Sequence, residues 1–116
     1  MSLLPDILDI HAADDEAVLT LAVPQTLAVF DGHFPSNPIL PGVVQIDWAM
    51  RLAVRYLGVA DPVACDFQVK FRRIIPPGVR LSVSLRHDRA KGALAFEYRI
   101  GDETASSGRV RLEVPS

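Results

Sequence analysis

An α+β architecture, with an antiparallel sheet wrapped around one long central helix, is the fold class the 116-residue sequence predicts. Two observations carry it. One stretch, Val43 to Leu57, is apolar at helical spacing and is followed at once by Gly58. The rest of the second half alternates apolar and polar residues in short runs divided by Pro and Gly turns, the period of half-buried strands.

In chain order, Ala17 to Val23 alternates around Leu19, Leu21 and Val23 and reads as a short strand. From Phe30 to Gly42 the chain reads as loop, because Gly32, Pro35, Pro38 and Pro41 deny helix and central-strand geometry. The helix follows Pro41-Gly42 and, at about four turns, is roughly 22 Å long, with Gly58 as its left-handed stop. Apolar residues go nearly all the way round it, and Asp47, Arg51 and Arg55 form its polar line at i, i+4 and i+8. Such a helix is expected to be buried on most sides. Phe67, Val69 and Phe71 then alternate with Gln68, Lys70 and Arg72. The turn Pro76-Pro77-Gly78 leads to Leu81, Val83 and Leu85. Arg89-Ala90-Lys91-Gly92 and Gly101-Asp102-Glu103 are read as hairpin loops. They flank a strand with Leu94, Phe96, Tyr98 and Ile100 on one face, and the last strand carries Val110, Leu112 and Val114. A sheet this small with open edges is expected to continue across a dimer.

Length and composition fit one domain, residues 1–116, with neither low-complexity segment nor internal repeat. No apolar run approaches the ~20 residues of a bilayer helix, and the start, Met1-Ser2-Leu3-Leu4-Pro5-Asp6, has no positive n-region followed by an apolar stretch. The expected compartment is the cytoplasm, without membrane association. A single cysteine, Cys65, excludes an intrachain disulfide and reads as a packed small hydrophobe, and His11, His33 and His87 match no metal-ligand spacing. Residues 1–58 carry a net charge of −5 and residues 59–116 a net charge of +3. A pI of 5.8 argues against a nucleic-acid footprint, for which domains usually exceed ~9.

The chemistry concentrates in Asp31-Gly32-His33-Phe34-Pro35-Ser36-Asn37-Pro38-Ile39-Leu40-Pro41-Gly42 and the helix bearing Asp47. It combines an imidazole on a proline-stiffened loop, free amides at a helix N-terminus that can stabilise a bound oxyanion, and a carboxyl one turn into a mostly apolar helix. Burial would let that carboxyl hold a proton at neutral pH. Base, acid and oxyanion donor together suit proton abstraction beside a carbonyl with loss of a leaving group. Other readings stand beside this one. Asp47 also reads as a first-turn carboxylate favoured by the helix dipole, and the prolines at three-residue spacing also suit a polyproline ligand.

The run His33-Phe34-Pro35-x-x-Pro38-Ile39-Leu40-Pro41-Gly42-Val43, with an acid fourteen residues after the histidine, closely resembles the motif of the hotdog-fold 3-hydroxyacyl-[acyl-carrier-protein] dehydratases. Phe67 to Leu81, a strand ending in basic residues and a Pro-Gly turn, resembles that family's second signature. The resemblance implies His33 as catalytic base, Asp47 as catalytic acid and the Gly42 amide as holder of the thioester carbonyl. It also implies that histidine and acid face each other from different protomers of a dimer, and that no cofactor is needed beyond the carrier's phosphopantetheine. Family members that also isomerise the double bond resemble this chain in having Asp rather than Glu at the acid position. Both branches commonly have Gln where this chain has Arg51. The wording Gln45-Ile46-Asp47-Trp48-Ala49-Met50 looks closer to the dehydratases of aryl-polyene pigment clusters.

On that reading the substrate is a 3-hydroxyacyl chain on acyl carrier protein and the product a trans-2-enoyl chain, in fatty-acid or polyene biosynthesis. Ile39, Leu40, Trp48 and Phe71 are candidate walls of the acyl tunnel. Lys70, Arg72 and Arg73 read either as a docking patch for the acidic carrier or as a solvated strand end. Two rivals remain at this level. Thioesterases share the fold, with a lone carboxylate on the central helix and no His-Phe-Pro segment. A non-catalytic or partner-dependent subunit, working with a second hotdog chain rather than as a homodimer, is the other.

Overall fold

The chain runs β1 (Asp6–Ala12), β2 (Glu16–Ala22), α1 (Gly42–Leu57), β3 (Val63–Phe71), β4 (Arg80–Asp88), β5 (Ala93–Ile100) and β6 (Glu103–Glu113). This is a computed structural model, and the structure describes residues 5–23, 40–59, 63–76 and 78–113. The strands form one antiparallel sheet in the order β1-β2-β4-β5-β6-β3. After β2 the chain crosses through α1, lays β3 at the far edge, and returns to build β4, β5 and β6 between them.

The alternation read from the sequence sets the inner face. Leu19 and Leu21 of β2, Leu81, Val83 and Leu85 of β4, Leu94, Phe96 and Tyr98 of β5 and Val110 of β6 are all buried. Each of these strands is therefore held in register by the cost of turning that set to water. The tight turns at Gly92 and Gly101 have φ 59°, which glycine takes without strain. Gly78, at φ 80°, exchanges backbone bonds with the end of β2: its N–H donates to Val23 O at 2.7 Å, and Val23 N–H donates to Val79 O at 3.0 Å.

Helix α1 ends as expected at Gly58, left-handed with φ 66° and ψ 22°. Its burial differs from the expectation. Gln45, Trp48, Ala49, Leu52, Ala53 and Leu57 are buried, one stripe at i, i+3 and i+4 spacing packed on the sheet. The opposite side, with Val43, Asp47, Arg51, Val54 and Arg55, is open. A sheet that wraps one side of a helix covers about half its circumference, and nothing else in this chain's described residues lies over the rest.

Strand β1 adds an element that the sequence pattern does not announce, and β6 starts well before Val110, at Glu103. Within β6, a Cβ on Gly108 would fall 2.7 Å from Cζ of Phe96 and 2.9 Å from Gln68 O, so glycine lets the ring lie flat across the strand.

Candidate active site

Among the described residues no side chain caps the helix N-terminus: Pro41 occupies the N-cap position with φ −62° and ψ 148°, and the first turn holds no acid. Proline can start a helix here because it has no N–H to satisfy and its φ is already set. Val44 and Gln45 both donate to Pro41 O at 3.1 Å. The amides of Gly42 and Val43 precede them and have no intrahelical acceptor. These are the groups that can bind a developing negative charge.

Beside them lies a groove of about 290 Å³ lined by Leu40, Gly42, Gln45, Phe71, Arg72, Arg73, Ile74 and Ile75. Phe71 roofs Gly42 so closely that a Cβ on the glycine would sit 2.5 Å from its Cζ. Leu40, almost fully buried, donates its N–H to Ile75 O at 2.8 Å, which ties the segment entering the helix to the β3–β4 connection.

Asp47 projects from the open side of α1, beyond the first turn, with its side chain about half exposed. Arg51 Nε donates to Asp47 Oδ2 at 2.8 Å, the i, i+4 pair expected for their spacing. Two expectations are corrected here. This chain by itself does not bury the carboxyl, because the sheet covers the other side of the helix. Nor is Asp47 a first-turn dipole partner.

Beneath the helix a polar network crosses an otherwise apolar core. Tyr98 Oη donates to Gln45 O at 2.6 Å, Ser106 Oγ donates to Gln45 Oε1 at 2.6 Å, and Gln45 Nε2 donates to Leu40 O at 3.1 Å. Burial holds the Tyr98 phenol well above the ordinary tyrosine range, the Asp47 carboxylate adds to that, and the Ala49 amide opposes it. Tyr98 is therefore a neutral donor at physiological pH. Sequence reasoning missed this network's role. Gln45 carried one signal, a polar residue at a core position of the helical stripe; Ser106, sixty-one residues away, carried none.

Of the candidate residues, Gly42, Leu40 and Phe71 come together at the groove. Trp48 does not: it is fully buried in the core, on the sheet-facing stripe, and is no wall of this groove. Arg72 and Arg73 line the groove, with their amides both donating to Ala105 O, at 2.8 and 3.0 Å, while the Arg73 guanidinium pairs with Glu103. Lys70 is exposed on β3 and, by strand alternation, faces the other way from Phe71. His33 and Ile39 lie outside the described residues, as do the other residues of the loop from 30 to 38, Pro77 and Val114. No group of three or more His, Cys, Asp or Glu side chains placed to hold a metal occurs among the described residues, nor a helix long and apolar enough to cross a membrane.

One antiparallel sheet wrapped on a single helix, whose N-terminus meets a groove, is the hotdog fold. The family model for ApeI-like proteins, described as ApeI dehydratase, matches residues 9–109, and the chain belongs to that family. This is the branch that the wording around Asp47 anticipated. Among solved structures, the dehydratase heterocomplex ApeI:P from Xenorhabdus doucetiae contains a chain 37% identical, superposing with a TM-score of 0.86 over 93% of this chain and 96% of that one. The 3-hydroxyacyl-[acyl-carrier-protein] dehydratase FabZ of Rhizorhabdus wittichii is 32% identical over 116 residues, 90% of this chain and 74% of its own length. The FabZ of Lactobacillus helveticus is 30% identical over 96 residues, and the matched stretch spans 74% of this chain but only 65% of that enzyme.

Proposed function

We propose that the protein dehydrates 3-hydroxyacyl chains carried on the phosphopantetheine of acyl carrier protein, in the cytoplasm and without a further cofactor. The observation that carries this reading is the groove at the N-terminus of α1, bounded by Gly42 and apolar on the Leu40, Phe71 and Ile75 sides. Family membership and the two FabZ relatives support the reaction class.

In the proposed step, neutral His33 takes a proton from C2 of the acyl chain. The C–H electrons become the C2–C3 double bond, while the Gly42 amide and the helix dipole stabilise the enolate-like thioester oxygen. The C3–O bond breaks, and a protonated Asp47 carboxyl gives its proton to the leaving hydroxyl, so that water departs. Before donating, Asp47 must release Arg51 from Oδ2. A second hotdog chain laid over the open side of α1 would supply that change, and would bring base and acid together from different protomers. Arg72 and Arg73, beside the groove, are candidate contacts for the acidic carrier.

A partner-dependent form of this reading is favoured by one observation, the open face of α1 with Val43 75% exposed. The relative solved as a heterocomplex makes a second, different hotdog subunit a candidate partner alongside a second copy of this chain.

The test is mass spectrometry of a 3-hydroxyacyl carrier protein incubated with the purified chain, alone and with a co-expressed hotdog neighbour. Loss of water is expected, and His33→Ala or Asp47→Asn should each slow it by ~10²-fold or more while the protein stays folded. Release of free acid would mean a thioesterase, and a fully active His33→Ala variant would overturn the mechanism.

A further inference from the structure

We infer that Gln45 is a positioning residue that aims the Gly42 amide, acting through two successive peptide units. The inference rests on the dehydratase reading for what the amide then does. Gln45 and Ser106 are the buried polar side chains among the described residues apart from the tyrosine, at 3% and 0% exposure. A polar side chain in such a place costs stability unless its atoms are paired, and an apolar residue would fill the stripe without that demand.

Both ends of the Gln45 amide are paired, and the pairs have a direction. Oε1 accepts from Ser106 on β6, and the backbone carbonyl accepts from Tyr98 on β5, so Gln45 is anchored to the middle of the sheet. From there Nε2 grips Leu40 O, the oxygen of the Leu40–Pro41 peptide. The Gln45 backbone N–H grips Pro41 O, at 3.1 Å. That oxygen belongs to the same planar peptide unit as the Gly42 N–H, so holding one fixes the direction of the other. Leu40 is secured from its other side by Ile75 O, at 2.8 Å. The middle of the sheet, through Tyr98 of β5 and Ser106 of β6, therefore sets the aim of the amide, although neither residue lines the groove.

The test uses Gln45→Met, Ser106→Ala and the double variant in the full chain, with its partner if turnover requires one. Removing both side-chain partners relieves much of the unpaired polarity that Gln45→Met alone would leave. Displacement of a reacting group by about 1 Å costs on the order of 10²-fold in rate. The double variant is expected to lose ~10- to 100-fold in kcat with KM within about two-fold. In parallel, residual dipolar couplings read the direction of single N–H vectors. The Gly42 coupling should change in the variants while those of Leu52 and Ala53, at the centre of α1, keep their values. An unchanged Gly42 coupling, or one that changes together with the helix centre, overturns the proposal, as does a double variant with wild-type kcat. If the unsubstituted protein does not dehydrate the substrate, the functional reading fails by itself and the couplings still decide whether Gln45 aims the amide.

Discussion

A methyl group added at Gly42 would press on the far end of Phe71, a ring that is 56% exposed and free to swing outward. Gly42→Ala is therefore expected to cost only about 1 kcal/mol in urea unfolding, and next to nothing when Phe71→Ala is already present. Turnover should fall in both backgrounds, because the methyl remains in the groove. Tyr98 gives a second prediction at this scale. Its folded-state pKa lies above the ordinary value of 10.0 because of burial first and the Asp47 carboxylate second. The unfolded chain thus loses the phenolic proton at lower pH than the folded one. The corresponding stability is fully present below pH 10 and is lost as pH rises above it. Tyr98→Phe should cost about 1 kcal/mol at pH 7 for the lost hydrogen bond, and should flatten the decline in melting temperature measured above pH 10.

Among the elements, β6 is the least forgiving. Gly108 faces the buried Phe96 ring and the Gln68 carbonyl, neither of which can withdraw, so Gly108→Ala should destabilise by about 2–3 kcal/mol, well beyond Gly42→Ala in the same denaturant titration. This also explains why the start of β6 was not legible. Ala105 to Gly108 lacks the branched and aromatic residues of a strand, and is one because β5 and β3 supply ladder bonds from both sides. Strand β1 was hidden differently. A register shift between Ile7 and Asp9 breaks the two-residue period, and Leu8 and Ile10 stay half exposed at an edge. By contrast, β4, β5 and the stop of α1 at Gly58 followed directly from alternation and a left-handed glycine. At the site, the start of a helix at Pro41-Gly42 was readable. The Gln45 network was not, because Ser106 and Tyr98 reach it through the fold rather than through spacing.

At the scale of the whole molecule, the side of α1 that the sheet leaves open carries Val43 and Val54 around Asp47 and Arg51, and Phe71 and Ile74 are exposed beside the groove. If a second chain covers that side, Val43→Glu together with Val54→Glu should shift size-exclusion elution toward the single chain. Both side chains are exposed in this chain, so its own melting should change little. The sequence showed the apolar residues on this side but not which were covered, since periodicity gives a helix's faces and not what packs on them.

The strand that carries Phe71 is also one of the two edge strands of the sheet. Any chain that added its own strand there would take hold of the segment whose last residue roofs Gly42. Rate and association would then share a concentration scale: on dilution, activity would fade with the slow kinetics of subunits parting rather than at once, and remixing would bring it back at the pace of a second-order encounter.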